Sequence, residues 1–346
     1  MNDPAPMPSG SETFMAREIA EVPAVAAPLC TGWAEAARVA SVLKARSFAF
    51  AVVCGRGSSG HAGVYLRYLI ETRCGLAVSA SAPSVVTGYG RTPRMDGALF
   101  ITISQSGRSP DLIAATRTAR QSGALTLALV NDAASPAASA ADLVLPIEAG
   151  PERAVAATKT VVNSLVASAA LVAHWSGDEA LIRGLADLPG RLAAAHRLDW
   201  SAWAADLAGA PAAFVTGRGH GLGPVREIAL KLAETLRLPA LGYSAAELRH
   251  GPRAAIQPRT PVLALRQDDQ VAEGIDALVR DLRRADLRVH ACGGPDGTLP
   301  WLAPAHAACD PIAMLMPAYR AIERESRRRG FDPDAPVGLT KVTETL

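Results

Sequence analysis

The stretch AVVCGRGSSGHAGVYLRYLIETRCGLAV begins at Ala51, and AFVTGRGHGLGPVREIALKLAETLRLPA begins at Ala213. Each runs from an apolar strand through Gly-Arg-Gly into a polar, glycine-rich turn, then an amphipathic helix and a further strand. The triplets start at Gly55 and Gly217, 162 residues apart, and the helices that follow match in length. A chain that repeats strand, turn, helix and strand at this period is a duplicated α/β domain. The length of 346 residues agrees, because domains commonly run to roughly 100–200 residues.

The first half predicts strands at 48–54, 76–80, 98–103, 125–130 and 142–147, with helices at 60–73, 109–121 and 158–174 between them. The second half predicts strands at 213–217, 262–266, 287–292 and 306–309, closed by the helix in IAMLMPAYRAIERESRRRG. Strands alternating with helices of this length fold as parallel sheets with helices on both faces, a three-layer α/β arrangement. The expected division is a disordered lead over 1–10, a first domain over 11–190 that includes an N-terminal helix, a second over 191–330, and a tail over 331–346.

Composition excludes several function classes. Hydrophobic residues make up 49% and charged residues 20%, enough for a large core. The formal charge is only +2, with no long basic run, so nucleic acid is not an expected partner. RESRRRG reads as a solvated helix end. No stretch reaches the roughly 18 apolar residues of a membrane span, and the N-terminal lead lacks the pattern of a secretory signal. The five cysteines, at 30, 54, 74, 292 and 309, are scattered, without a Cys-x-x-Cys. A disulfide framework and a zinc site are therefore not expected, and a cytoplasmic protein is. No cluster has metal-ligand spacing, so no metal or cofactor is expected.

ALFITISQSGRSPDLIAA, from Ala98, ends an apolar strand in Ser104, Gln105 and Ser106. Ser109 then stands at an N-cap position, Pro110 at the first helical position and Asp111 in the first turn. A helix N-terminus behind a glycine-containing loop binds phosphate through its backbone N–H groups and its dipole, and the serine and glutamine side chains add donors. Without the lysine of a nucleotide-binding P-loop, the reading is a smaller phosphorylated metabolite; a capped turn with solvent-facing serines is the plain alternative. Ser58 and Ser59 follow Gly-Arg-Gly as a second polar pair, and no acidic residue stands where a dinucleotide ribose would need one. In EIALKLAETL, Glu227, Lys231 and Glu234 share one helix face, either as an exposed charge ladder or as part of a site. AAELRHGPRAAI offers Glu247 and His250 near a turn, and GLTKVTETL carries Lys341.

Taken together, GRGSS, ITISQSGRSPD, VAATKT, EIALKLAE, AELRHGP and LTKVTET resemble the tandem SIS (sugar isomerase) phosphosugar family over nearly the whole chain. Most similar within it are the isomerase half of glucosamine-6-phosphate synthase and the stand-alone SIS-type glucosamine-6-phosphate deaminases. The resemblance implies two tandem SIS domains and a phosphate cradle of Ser104, Gln105, Ser106 and Ser109, with Ser58 and Ser59 beside it. It implies that Val155 and Ala156 line the sugar, and that Glu234 shuttles a proton between C1 and C2. By the same likeness His250 opens the sugar ring from a neighbouring subunit, so a homodimer with shared active sites is expected. Lys341 engages the C2 carbonyl or imine, and Lys231 and Glu227 support charge at the reacting end. The sequence lacks a glutamine-hydrolysing segment and an initial Met-Cys. The expectation is therefore deamination of glucosamine 6-phosphate to fructose 6-phosphate and ammonia. The alternatives are a deaminase or deglycase of another phosphosugar (galactosamine 6-phosphate or a fructosamine 6-phosphate), and a non-catalytic sugar-phosphate-binding regulator.

Overall fold

The computed structural model describes residues 12–31 and 33–341. The expected lead over 1–10 and positions 342–346 of the expected tail lie outside them. In chain order the elements are α1 (Phe14–Cys30), α2 (Ala34–Lys44), β1 (Phe50–Cys54), α3 (Gly57–Cys74), β2 (Val78–Ala80), α4 (Ser84–Thr87), β3 (Ala98–Ser104), α5 (Pro110–Gln121), β4 (Leu125–Val130), α6 (Pro136–Ala140), β5 (Leu143–Pro146), α7 (Lys159–Ser176) and α8 (Glu179–His196). There follow α9 (Ser201–Leu207), β6 (Ala213–Gly217), α10 (Leu222–Leu236), β7 (Ala240–Ser244), α11 (Ala245–His250), β8 (Val262–Leu265), α12 (Ala272–Arg284), β9 (Val289–Cys292) and α13 (Asp310–Arg328). Short 3-10 turns precede α10, at Gly219–Gly221, and follow α11, at Pro252–Ala255.

The chain divides into two compact units. Of the described residues, one contains Pro23–Pro151 and Lys159–Pro189; the other contains 12–22, Glu152–Thr158 and Gly190–Lys341. The first unit holds a parallel sheet in the order β2-β1-β3-β4-β5. Strand residues alternate between two covered faces, as buried parallel strands must. Val52, Cys54, Ala98 and Phe100 pack with Leu112, Ala115 and Ala119 of α5. Val53 points the other way, so close to α3 that a Cβ on Gly63 would lie 2.7 Å from it. Helix α7 packs on α3 and α2 and is buried on every side from Lys159 to Ala173, the pattern of a core helix rather than a surface one.

The second unit holds a parallel sheet in the order β7-β6-β8-β9. Phe214, Val262 and Ala264 pack with Ile275, Leu278, Val279 and Leu282 of α12. Helix α10 packs against α13, which is buried from Asp310 through Tyr319. Both sheets therefore place their second strand outside the first, then the third and fourth. The registers repeat as well. Ala51 pairs with Val78 and Val52 with Phe100 in the first sheet. At the same 162-residue offset, Ala213 pairs with Ala240 and Phe214 with Val262.

Two expectations differ from the structure. Positions 306–309 form no strand: the backbone N–H groups of Cys309 and Asp310 both fold back onto the His306 carbonyl, turning the chain into α13. Helix α3 starts at Gly57, three residues before its expected start. A Cβ on Gly55 would lie 2.9 Å from the Ser59 backbone, so the missing side chain lets the first turn close directly on the strand end. That turn carries Ser58 and Ser59.

Candidate active site

In the first unit the polar residues collect where β3 ends, the edge at which open parallel sheets bind ligands. Ser104 is buried and its Oγ accepts from the Gly107 N–H at 3.1 Å. The half-buried Ser106 accepts from the Arg108 N–H at 3.2 Å. These bonds curl the loop so that Gly107 turns through φ +62°, with a Cβ there only 2.1 Å from Ser135 Oγ. Only glycine fits both the angle and the approach. Ser109 occupies the expected N-cap position of α5, yet its hydroxyl makes no capping hydrogen bond. Gln105, Ser58 and Ser59 are half-buried. The exposed Arg108 pairs with Asp132 at 3.3 Å.

Asp111 does more than sit in a first helical turn. Its fully buried carboxylate pairs with Arg56, the arginine of the first Gly-Arg-Gly. The pair ties the loop after β1 to the loop after β3, so both polar turns are fixed on one frame. Neither residue's partner is visible from sequence, since 55 positions separate them.

In the second unit Glu227, Lys231 and Glu234 do share one face of α10, but not as an exposed ladder. Lys231 and Glu227 are each 1% exposed and Glu234 is 22% exposed. Lys231 Nζ lies 2.5 Å from Glu234 Oε2 and 3.4 Å from Glu227 Oε1. Burial pulls the Lys231 ammonium down, but the two carboxylates outweigh it and hold its pKa above the value of a free lysine. Tyr319 of α13, fully buried, donates its hydroxyl to Glu227 Oε1 at 3.2 Å. Burial first, and Glu227 second, push its phenol well above the usual range, so it stays a donor.

Lys341 is anchored in this unit. Its Nζ donates to Glu152 Oε2 at 2.8 Å and to the Ala154 carbonyl at 2.6 Å. The other oxygen of Glu152 accepts from the Thr158 N–H at 2.9 Å, and Glu152 is among the charges that raise Lys231. The same short segment presents Val155, half-buried, and Ala156, buried. Glu18 holds it by accepting from the Arg153 and Ala154 N–H groups, and the Asp334 carbonyl accepts from Val155 N–H at 3.0 Å. His250 stands apart from this cluster, exposed on the last turn of α11.

Sequence reading missed Glu152, Tyr319 and Arg56. Glu152 carried a faint signal, as the acid just before VAATKT; Tyr319 carried none inside an apolar helix. Chemically, the first unit offers hydroxyls, an amide and backbone donors suited to an anion. The second offers a carboxylate open to solvent, backed by a buried ammonium, with a second ammonium at Lys341. Among the described residues no group of three or more His, Cys, Asp or Glu is placed to hold a metal ion, and no helix is long and apolar enough to cross a membrane.

The SIS domain model matches residues 50–174, from β1 nearly to the end of α7. A candidate phosphosugar isomerase from Silicibacter pomeroyi DSS-3 has the same fold, with a TM-score of 0.88 and 40% identity over 93% of this chain and 100% of that one. The glutamine–fructose-6-phosphate aminotransferase (isomerizing) of Halobacterium salinarum is 34% identical over 84% of this chain and 50% of its own length. That of Symbiobacterium thermophilum is 32% identical over 96% of this chain and 59% of its own length. The chain thus spans about half the length of these aminotransferases. With β1, β3 and their two polar turns inside the matched region, and a whole-length relative at this identity, the chain belongs to the SIS-domain phosphosugar isomerase family.

Proposed function

We propose that the protein interconverts an aldose and a ketose at the C1–C2 end of a phosphorylated amino sugar, and that its reaction is the deamination of glucosamine 6-phosphate to fructose 6-phosphate and ammonia. The observation that carries this reading is the α10 cluster. Glu234 is an accessible carboxylate with a buried ammonium 2.5 Å away, the kind of group that takes a proton from one carbon and returns it to the next. On this reading the loop over 104–109, with Ser58 and Ser59, holds the phosphate, and the second sheet is a second SIS unit that supplies the acid–base groups.

In the proposed reaction the sugar ring opens, with His250 of the partner subunit in a homodimer moving the proton between ring oxygen and O1. Glu234 removes the proton from C2 of the open-chain aldose and delivers it to C1. The amine-bearing C2 becomes an imine, with Lys341 beside it, and water hydrolyses that imine to the ketone and ammonia. Lys231 and Glu227 hold the charge state of Glu234 as the proton comes and goes. Val155 and Ala156 line the sugar.

The test is to incubate the protein with glucosamine 6-phosphate and follow ammonia and fructose 6-phosphate together. Equimolar release is expected, falling by about 10²–10⁴-fold in Glu234→Gln. Release only from galactosamine 6-phosphate or a fructosamine 6-phosphate would keep the chemistry and change the substrate. No turnover of any of them, with thermal stabilisation by the sugar phosphates, would replace the enzyme by a sugar-phosphate-binding regulator.

A further inference from the structure

The 162-residue offset brings the phosphate loop of the first sheet onto an equivalent loop of the second, and the two have diverged in a telling way. Gly55, Arg56 and Gly57 correspond to Gly217, Arg218 and Gly219. Both arginines are extended, with φ −125° and −153°. The glycines that follow them are both left-handed, with φ +49° and +60°. Gln105 after β3 corresponds to Gln267 after β8. The backbone frame of the Gly-Arg-Gly turn is therefore present twice, although in the loop after the third strand of each sheet Gly107 is left-handed and its counterpart Asp269 is not.

The side chains are not. Where the first loop has Ser104, Ser106 and Ser109, the second has Arg266, Asp268 and Val271, and Ser58 is replaced by His220. The decisive change is at Gly107, whose counterpart is Asp269. The Asp269 carboxylate turns back into the loop. Its Oδ1 accepts from the Val271 N–H at 3.0 Å, at the start of the 13-residue helix α12. Its Oδ2 accepts from Gln267 Nε2 at 3.0 Å and lies 3.9 Å from Nδ1 of the buried His220. Burial alone would raise this carboxyl, but these donors hold it below its ordinary value. Gln267 is fully buried, and its Oε1 has no hydrogen-bond partner. A backbone donor at a helix start, an amide and an imidazole converging on one anion form a phosphate-type seat, and here the anion is part of the chain.

We propose that the loop after β8 is an anion seat closed by Asp269, so that each chain keeps a single open phosphate seat, at 104–109. This rests on the reading of the first loop as the phosphate holder. The chemical class the closed seat would accept, once opened, is a phosphate monoester or free phosphate. Asp269 is then what confines the duplicated fold to one substrate per chain.

The experiment counts inorganic phosphate bound per chain by equilibrium dialysis, in the full-length protein and in Asp269→Gly and Asp269→Ser. One phosphate in the wild type and two in the variants is the expected result. The variants should also gain thermal stability from phosphate beyond the wild type's gain, relative to chloride at equal ionic strength. No phosphate bound by the wild type would sink the first-loop reading. One bound by the wild type and only one by the variants would overturn this proposal alone, as would two bound by the wild type. Variants that unfold in chloride and are not recovered by phosphate would overturn it too, because phosphate is expected to take the place of the carboxylate.

Discussion

Helices α3 and α10 follow equivalent strands in the two sheets, yet they bury opposite kinds of surface. At the positions 162 residues before Glu227, Lys231 and Glu234, α3 carries Tyr65, Leu69 and Thr72. Tyr65 and Leu69 are fully buried, as are the ammonium of Lys231 and the carboxylate of Glu227. The strand-end loops show the reverse: hydroxyls and an open turn in the first copy, a carboxylate hydrogen-bonded within its own loop in the second. On the proposed function, each copy retains a different part of the chemistry. The repeated fold demands a filled interior at these helix positions but not an apolar one. A charged filling is tolerated on α10 because Lys231 pairs with both carboxylates at helical spacing, and because Tyr319 satisfies a remaining acceptor.

The sharpest way to break this comparison is to remove the ammonium. Lys231→Met leaves two carboxylates without their buried counter-ion and is expected to cost about 3–5 kcal/mol of stability. Adding Glu227→Gln and Glu234→Gln to the same chain should restore most of that loss. A denaturant series on both proteins checks it, and a loss below about 1 kcal/mol for the single variant would show that the cluster is not paired as described. Leu69→Ala on α3 should cost about 2–5 kcal/mol through a cavity while leaving the KM for the sugar phosphate unchanged. An altered KM would mean that the apolar filling of α3 also sets the position of Ser58 and Ser59 on its first turn.

A smaller effect is expected at the first loop. Ser106→Ala removes one hydroxyl donor to the proposed phosphate, worth about 1.5–3 kcal/mol as a bond to a charged group. It should appear as a KM rise of roughly 10–100-fold with little change in melting temperature. The smallest effect concerns pH. Because folding raises the pKa of Lys231 above 10.5, the stabilisation from its charge is complete below that value and is lost as pH rises through the folded value. Melting temperatures taken from about pH 9 to pH 11.5 should therefore fall more steeply in the wild type than in Lys231→Met. Parallel curves would show that Lys231 does not carry this alkaline loss.

Much of the fold was legible because it is written locally. Apolar runs ending in Gly-Arg-Gly, the Ser-Pro-Asp helix start at 109–111 and the repeated spacing each need only neighbours in sequence to act. The start of α3 was misplaced because Gly-Ser-Ser-Gly reads as loop by propensity, whereas tertiary packing closes it as a helical turn on Gly55. The segment 306–309 was misread because a short apolar stretch does not say whether its N–H groups will find a sheet or fold back on His306. The spacing of Glu227, Lys231 and Glu234 gave one helix face. It did not reveal that this face is buried, since burial is decided by α13, nearly a hundred residues away.

The sequence by itself therefore determined the duplicated α/β plan, the strand ends that carry polar loops and the helix that carries the charges. Those follow from periodicity and turn chemistry, which act over a few residues. Only the tertiary structure decided which of those polar groups meet: Arg56 with Asp111, Lys341 with Glu152, and Tyr319 with Glu227. These pairs bridge 55, 189 and 92 positions, and nothing in local backbone preference specifies them. They form because desolvated charges and hydroxyls must find partners inside the folded chain.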